Sequence, residues 1–364
     1  MFTWQRAVIK VGSSLIAPDG SHCSAKFLLA IAQFITASRA AGKEVLVVSS
    51  GSVAAGRNSV NVNHIATIAE KQAMAAIGQT QMMANWQRFF DFPCAQLLLT
   101  AEDLRNRTRY VNIANTLREL LAHHALPIIN ENDTVATDEL KVGDNDNLAA
   151  YAALVAQADT LIICSDVDGL YSSDPRINQD ARLIDEVDRI DEAIYKLAGG
   201  AGSKAGTGGM HTKLQAAEKC MQSGIQTLIV NGRKPEVFDA LMNGKPVGTV
   251  FRPKHSSQRA RQLWINHTLK ETGCIQVDEG AATAIRENGA SLLPCGVVGS
   301  QGEFNMGDAV SIECDGTKIA KGLVLFSTAE LKRVQGRKTT ELRQALGYPS
   351  NGLVVHRDDM VVVK

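Results

Sequence analysis

No charge of either sign dominates this sequence: lysine plus arginine and aspartate plus glutamate each number 38 among 364 residues. That balance excludes a protein that coats nucleic acid or an anionic membrane through bulk charge, so any anion site has to be local. The seven cysteines (Cys23, Cys94, Cys164, Cys220, Cys274, Cys295, Cys314) are odd in number, scattered, and never spaced as C-x-x-C. A disulfide framework and a zinc site are both disfavoured by that arrangement. His123-His124 and His211 carry no metal-ligand spacing. Met1 to Val11 holds an apolar run too short for a secretory segment and far too short to span a bilayer, so the expected setting is a reducing cytoplasm without a membrane partner. Two nucleotide signatures are missing as well. Gly42-Lys43 is followed by Glu44 and Gly244-Lys245 by Pro246, so there is no G-x-x-x-x-G-K-[ST], and no G-x-G-x-x-G opens the first helix. A Walker-type ATPase and a dinucleotide-binding dehydrogenase are thereby excluded by motif. No internal repeat or low-complexity tract is present.

What the chain does have is a 45% hydrophobic composition at a length that suggests two domains. Short runs rich in Val, Ile and Leu read as buried strands over Ala7–Val11, Val45–Ser49, Cys94–Thr100, Pro127–Asn130, Thr160–Ser165 and Thr227–Asn231. Between them, Ala25–Ala41, Ile65–Phe90, Tyr110–His123, Asn147–Ala158, Asp191–Leu197, Met210–Ser223 and Pro235–Met242 have helical spacing. Strands alternating with helices predict a doubly wound, three-layer αβα sandwich on a mainly parallel sheet. The alternation stops near Pro253. After a basic, polar stretch the runs shorten and glycine recurs at close intervals, the pattern of a small, mostly β, barrel-like module. The expected division is 1–255 for the α/β domain, 256–272 for a linker, 273–350 for the β module and 351–364 for a tail.

In open α/β sheets ligands bind beyond the carboxyl ends of the strands, so the residues that follow each apolar run come first. Lys10-Val11-Gly12-Ser13-Ser14 sets a lysine before a loop of small residues whose backbone N–H groups can approach an anion. Taken alone, such a lysine is more often a solvated surface charge. Ser49-Ser50-Gly51-Ser52-Val53-Ala54-Ala55-Gly56 opens a helix whose N-terminus favours an anion, or simply makes a tight capped turn. Asn130-Glu131-Asn132-Asp133-Thr134 and Gly143-Asp144-Asn145-Asp146-Asn147 are either turn formers or the walls of a polar pocket that reads an amino group and a carboxylate. Ser165-Asp166-Val167-Asp168-Gly169 suits a nucleotide or metal-phosphate environment, and a turn explains it equally well. The glycine-rich run 199–209 leads into Met210-His211-Thr212-Lys213 at the start of a helix, where a lysine opposes the helix dipole at a local cost that phosphate binding would offset.

Together these blocks, with Gly206-Thr207-Gly208-Gly209-Met210-His211-Thr212-Lys213 closing the series, resemble the amino acid kinase family. Val277-Asp278-Glu279-Gly280-Ala281 and Ser291-Leu292-Leu293-Pro294 resemble the PUA domain appended to some of its members, and the resemblance to the family continues to the closing His356-Arg357-Asp358-Asp359-Met360. The chain departs mildly from the pattern, with Ser52 where alanine is usual and Met306 where a basic residue is common. The resemblance implies ATP-dependent phosphorylation of the L-glutamate side-chain carboxylate, the first step of proline synthesis, with Mg²⁺ accompanying ATP. It further implies that Lys10, Thr207, Gly208, Gly209, Met210, His211, Thr212 and Lys213 bind the ATP phosphates and Ser165 and Asp166 the nucleotide region. Ser50, Asp133 and Asn145 would hold glutamate, and Asp146 would orient the two lysines or a metal ion, whose direct ligands stay unassigned. Feedback inhibition by proline, a glutamyl phosphate reductase as functional partner and a homo-oligomer are implied in the same way.

A glutamate side chain has an unperturbed pKa of about 4.3, so the nucleophile is already deprotonated at neutral pH. The task left to Lys10, Lys213 and Asp146 is alignment and charge compensation, without a general base. Two alternatives compete. Acetylglutamate kinase, aspartokinase and uridylate kinase share the phosphate-handling blocks, and the β module discriminates against them. An RNA-binding protein would suit a PUA module, yet residues 271–349 hold 8 basic against 10 acidic side chains, without the excess that RNA demands.

Overall fold

Six consecutive residues of β1 (Arg6–Val11) alternate no polarity at all: five are buried, Lys10 among them. A strand covered on both faces has to read this way, and β1 lies at the centre of its sheet. The computed structural model describes residues 2–60, 62–136, 145–198, 209–256, 265, 269–350 and 352–363. Backbone contacts divide the chain into two compact units, Met1–Arg105 with Ile113–Ser257 and Asn106–Asn112 with Gln258–Lys364.

Along the chain β1 is followed by α1 (Ser13–Ile16), α2 (Leu28–Ala40), β2 (Glu44–Ser49), α3 (Ser52–Gly56), α4 (Ile68–Gln87), β3 (Cys94–Leu99), α5 (Ala101–Arg105) and α6 (Arg107–Ala122). Then come β4 (Leu126–Glu131), α7 (Asn145–Val155), β5 (Thr160–Ser165), β6 (Glu186–Val187), α8 (Glu192–Leu197), α9 (Met210–Gln222), β7 (Gln226–Asn231), α10 (Pro235–Met242) and β8 (Thr249–Phe251). The eight strands are ordered β3-β4-β2-β1-β5-β7-β8-β6, and all neighbours run parallel except β7 and β8. The expected strands and helices are all present, with ends displaced by a few residues. β6 and β8 were not anticipated, because two and three residues are too short to show a period.

Local chemistry sets the helix starts. Thr67 caps α4 in a reciprocal box with Glu70: the Glu70 N–H donates to Thr67 Oγ1 at 3.3 Å and the Thr67 N–H to Glu70 Oε2 at 2.8 Å. Pro235 opens α10, where its fixed φ and missing N–H cost nothing. The core beneath β1 and β2 joins Ile9, Val11, Val45 and Val47 to Leu15, Ile31, Phe34, Met82 and Trp86. The topology also locates a crevice. From β1 the chain builds toward β2 on one side and toward β5 on the other, so the sheet's switch point falls at the carboxyl end of β1, where Lys10 stands.

Helices α3 and α4 cross at backbone contact. A methyl group on Gly56 would overlap the Met74 carbonyl oxygen, and one on Gly78 the Ser52 carbonyl oxygen. Only glycine permits this approach, which seats Ser52 at a fixed height over the ends of β2 and β4. Gly78→Ala is therefore expected to destabilise the first unit by about 3 kcal/mol, the upper range for overpacking, because the obstacle is backbone on both sides. Urea titration checks this; a variant of full stability would mean that α3 can retreat from α4.

The second unit is built on a five-stranded sheet, β9 (Glu271–Val277), β10 (Val297–Gly302), β11 (Ala309–Cys314), β12 (Thr317–Val324) and β13 (Val355–Val362), ordered β10-β9-β11-β12-β13. Ile275, Val277, Ile312, Ile319, Val324, Phe326 and Val355 fill its core. Two expectations need correction. Residues 351–364 are not a tail: β13 pairs antiparallel with β12 from Ala320↔Val362 to Val324↔Val355 and closes the sheet's edge. The buried residues of β13, Val355, Asp359 and Met360, fall at no regular spacing around a run of four polar residues, so the sequence shows no strand period there. β9 also begins at Glu271, inside the stretch expected to link the two parts; most of that stretch lies outside the described residues.

Candidate active site

The last residues of β1 and the first turns of α7 and α9 bring three charged side chains together in the interior. Lys10 Nζ stands 2.6 Å from Asp146 Oδ1, and Lys213 Nζ stands 3.0 Å from Asp146 Oδ2. Asp146 is fully buried, and Lys10 and Lys213 are 5% and 4% exposed. Thr212 Oγ1 lies 3.0 Å from the same Asp146 Oδ2 and 2.8 Å from the Gly209 carbonyl oxygen, tying the start of α9 to the start of α7. Burial alone would raise the Asp146 carboxyl pKa; the charges of Lys10 and Lys213 outweigh it and hold it below the ordinary value. Lys10 is thus no solvated surface charge. Two buried cations meet on one carboxylate at the sheet's switch point.

One residue earlier, Asn145 begins a second network. Its Nδ2 donates to Ser50 Oγ at 2.8 Å and to Asn130 Oδ1 at 2.9 Å. Asn130 in turn donates from Nδ2 to Gln79 Oε1 at 2.9 Å. Ser52 Oγ donates to Asp133 Oδ2 at 2.9 Å, so the serine that replaces the usual alanine steadies a carboxylate of the same wall. Of the residues expected to hold an amino acid, the structure joins Ser50 and Asn145 directly. Asp133 reaches them through α3, whose Ser52 follows Gly51 in the left-handed region at φ 96°.

The strand end after β5 gives a third group. Ser165 is buried and its Oγ lies 3.3 Å from Asp166 Oδ1, while Asp166 is exposed opposite Arg233. Asp168 receives Lys234 at 2.7 Å, Asn231 Nδ2 at 2.9 Å and the Tyr171 hydroxyl at 3.1 Å; its hydrogen bond from Lys234 comes first among the causes that hold its carboxyl low. Gly12 donates its N–H to the Cys164 carbonyl at 3.2 Å, which sets the Lys10 loop beside this strand end. Cys164 is sealed beneath, and burial pushes its thiol up to about 12, so it is no nucleophile. Gly209 and Met210 cap and open α9. His211 turns toward α8, with its ring 5.1 Å from that of Tyr195. Thr207 and Gly208 lie outside the described residues.

Among the described residues, the group close enough to hold an ion by itself is Glu279, Cys314 and Asp315 in the second unit, where nothing else points to a ligand. In the first unit the oxygens of Asp146 face lysines. Since lysines take both oxygens of Asp146, the buried carboxylate of this cluster, a magnesium ion accompanying ATP would be held chiefly by phosphate and water, the usual habit of that ion. Sequence reasoning missed Gln79 altogether, since a glutamine in the middle of a helix carries no signal of its own.

Two buried lysines on one carboxylate at the switch point of a parallel sheet, beside a network of amide and hydroxyl groups, suit a phosphotransferase of the carboxylate-kinase kind. Residues 5–231 match the amino acid kinase family and residues 273–346 the PUA domain, and the chain belongs to the amino acid kinase family. More narrowly, it is similar to glutamate 5-kinases. That of Idiomarina loihiensis is 53% identical over 100% of this chain and 98% of its own length. Those of Salinibacter ruber and Xanthomonas axonopodis pv. citri are 51% and 50% identical over 99% and 98% of this chain, and over 97% and 100% of their own. A solved UMP kinase from Bacillus anthracis, at 16% identity and a TM-score of 0.47 over 69% of this chain and 97% of its own, adds nothing to that assignment. Among the described residues no helix is long and apolar enough to cross a membrane.

Proposed function

We propose that this chain transfers the γ-phosphoryl group of ATP to the side-chain carboxylate of L-glutamate, yielding L-glutamyl 5-phosphate and ADP at the start of proline synthesis. The observation that carries the reading is the Lys10–Asp146–Lys213 cluster set one residue from the Asn145–Ser50 network. The amide nitrogen of Asn145 is taken up by Ser50 and Asn130, which leaves its Oδ1 to accept from an α-ammonium group. The Ser50 hydroxyl accepts from Asn145 and keeps its own proton to donate to an α-carboxylate. Asp133 adds negative charge on the ammonium side.

With the acceptor carboxylate already ionised, the obstacle is bringing two anions together. Lys10 and Lys213 reach the transferring oxygens from different elements, the end of β1 and the first turn of α9, and Asp146 keeps both aimed at one point. Gly209, Met210, His211 and Thr212, with Thr207 and Gly208, cradle the phosphates, and Ser165 and Asp166 border the nucleotide. Magnesium supplies charge neutralisation on the phosphates when bound.

The product is a mixed anhydride whose own α-amino group can cyclise onto it, so a glutamyl phosphate reductase is the partner that consumes it. Proline, which shares the α-carboxylate and the amino nitrogen, is the feedback inhibitor at the glutamate pocket. On this reading catalysis belongs to residues 1–255, followed by a PUA domain from 273 onward, in a homo-oligomer working in the cytoplasm, where free cysteines stay reduced.

The test is ADP release with hydroxylamine trapping on glutamate, N-acetylglutamate, aspartate and UMP, each with and without proline. Hydroxamate from glutamate alone, suppressed by proline, is the expected result. Preference for any other acceptor overturns the reading.

A further inference from the structure

We propose that Gln79 is a positioning residue for the acceptor pocket: from the middle of α4 it fixes the orientation of the Asn130 amide, and through it the atoms that Asn145 and Ser50 offer to the acceptor's amino and carboxylate groups. This rests on the reading of the site as an amino-acid pocket. Gln79 is 6% exposed and its Oε1 accepts from Asn130 Nδ2 at 2.9 Å. Asn130, itself 1% exposed, therefore turns its Oδ1 the other way, where it accepts from the Glu131 N–H and from Asn145 Nδ2, each at 2.9 Å. An amide nitrogen carries two hydrogens, and Asn145 places them on Asn130 and Ser50. The order of donors and acceptors across the pocket is thus set from below by two groups that hold the Asn130 amide between them, the Gln79 carbonyl oxygen on its nitrogen side and the Glu131 N–H on its oxygen side. A half-turn of the Asn130 amide would present Nδ2 to Asn145, turn the Asn145 carbonyl inward and away from the pocket, and exchange the ammonium-binding and carboxylate-binding edges.

A second observation separates this role from packing. Gln79 Nε2 is buried with no hydrogen-bond partner among the described residues. An amide donor left unpaired in the interior lowers stability, so a side chain present only to fill this space would be apolar, and methionine has nearly the same length. The polar group is held there for what its oxygen does.

The test compares Gln79→Met and Gln79→Leu with the wild type in the full chain. Each variant removes the unpaired Gln79 Nε2 but also takes away the acceptor of the buried Asn130 Nδ2, so the two effects offset and Tm is expected to stay close to that of the wild type. KM for glutamate is expected to rise roughly tenfold or more, the scale of one misplaced hydrogen bond to a charged group, with KM for ATP unchanged. Glutarate, which lacks the α-amino group, reports on the ammonium edge: the preference for glutamate over glutarate should shrink in the variants. An unchanged KM for glutamate overturns the proposal, as does a lowered Tm with equal losses toward ATP and glutamate, which would assign Gln79 to packing. Failure of the wild type to form glutamyl hydroxamate would remove the reading of the site before any variant is compared.

Discussion

Lys213→Ala is expected to lower kcat by roughly 10²-fold or more, and Lys10→Ala to do the same, in proteins that remain folded. The fold should tolerate either change because two lysines share one carboxylate. With one removed, Asp146 keeps a single close counter-ion, at 2.6 Å from Lys10 or 3.0 Å from Lys213, so no unpaired anion is left in the interior. The loss falls on the reaction. Charge compensation for the transferring phosphoryl group is largest when the entering and leaving oxygens are both close, so an ammonium group that meets it there affects kcat more than ATP binding. Neither lysine can stand in for the other, since one is anchored in a central strand and the other in a helix whose first turn is tied to Asp146 through Thr212. ADP release by the purified variants, with thermal melting to confirm folding, checks this. Near-normal kcat in either would remove that lysine from the transferring group.

The legibility of this site in the sequence was uneven, for physical reasons. Strands buried on both faces, such as β1 and β5, announce themselves as unbroken apolar runs, and the polar residues that end them fall at the crevice by topology alone. Lys10, Ser50 and Ser165 could be found that way. The same residues in isolation could not be told from surface charges and turn formers, because sequence spacing says nothing of burial. It is the 5% exposure of Lys10 and the bridging carboxylate of Asp146 that separate the two readings. Gln79 lay beyond sequence reasoning entirely. Its part depends on α4 crossing α3 at Gly56 and Gly78, a tertiary contact that brings a mid-helix side chain under the ends of β2 and β4. β8 was missed for a related reason: three residues take strand form because Gly248, at φ 77°, delivers them antiparallel against β7 with its Cα close to the Ile229 carbonyl.

Asp146→Asn should produce a large loss of stability for so conservative a change. The substitution keeps shape but removes the anion, leaving Lys10 and Lys213 to face one another in a site that is 5% exposed or less. Breaking a buried ion pair by deleting one partner costs about 3–5 kcal/mol, on the order of 10 °C in Tm for a domain of this size. ATP carries the missing negative charge to the same point, so saturating ATP should raise the Tm of the variant more than that of the wild type, while kcat stays low because the lysines are no longer aimed. Acid gives an independent reading of the same carboxylate. Burial acting alone would raise its pKa, but Lys10 and Lys213 reverse the sign and hold it below the ordinary value. A depressed folded pKa contributes stability that is complete above the unfolded value of about 3.9 and lost as pH falls through the lower folded value. The difference in Tm between wild type and Asp146→Asn should therefore be constant near neutrality and narrow as the solution is taken below about pH 4. A variant as stable as the wild type at pH 7, or a gap unchanged in acid, would mean that Asp146 does not carry both lysines.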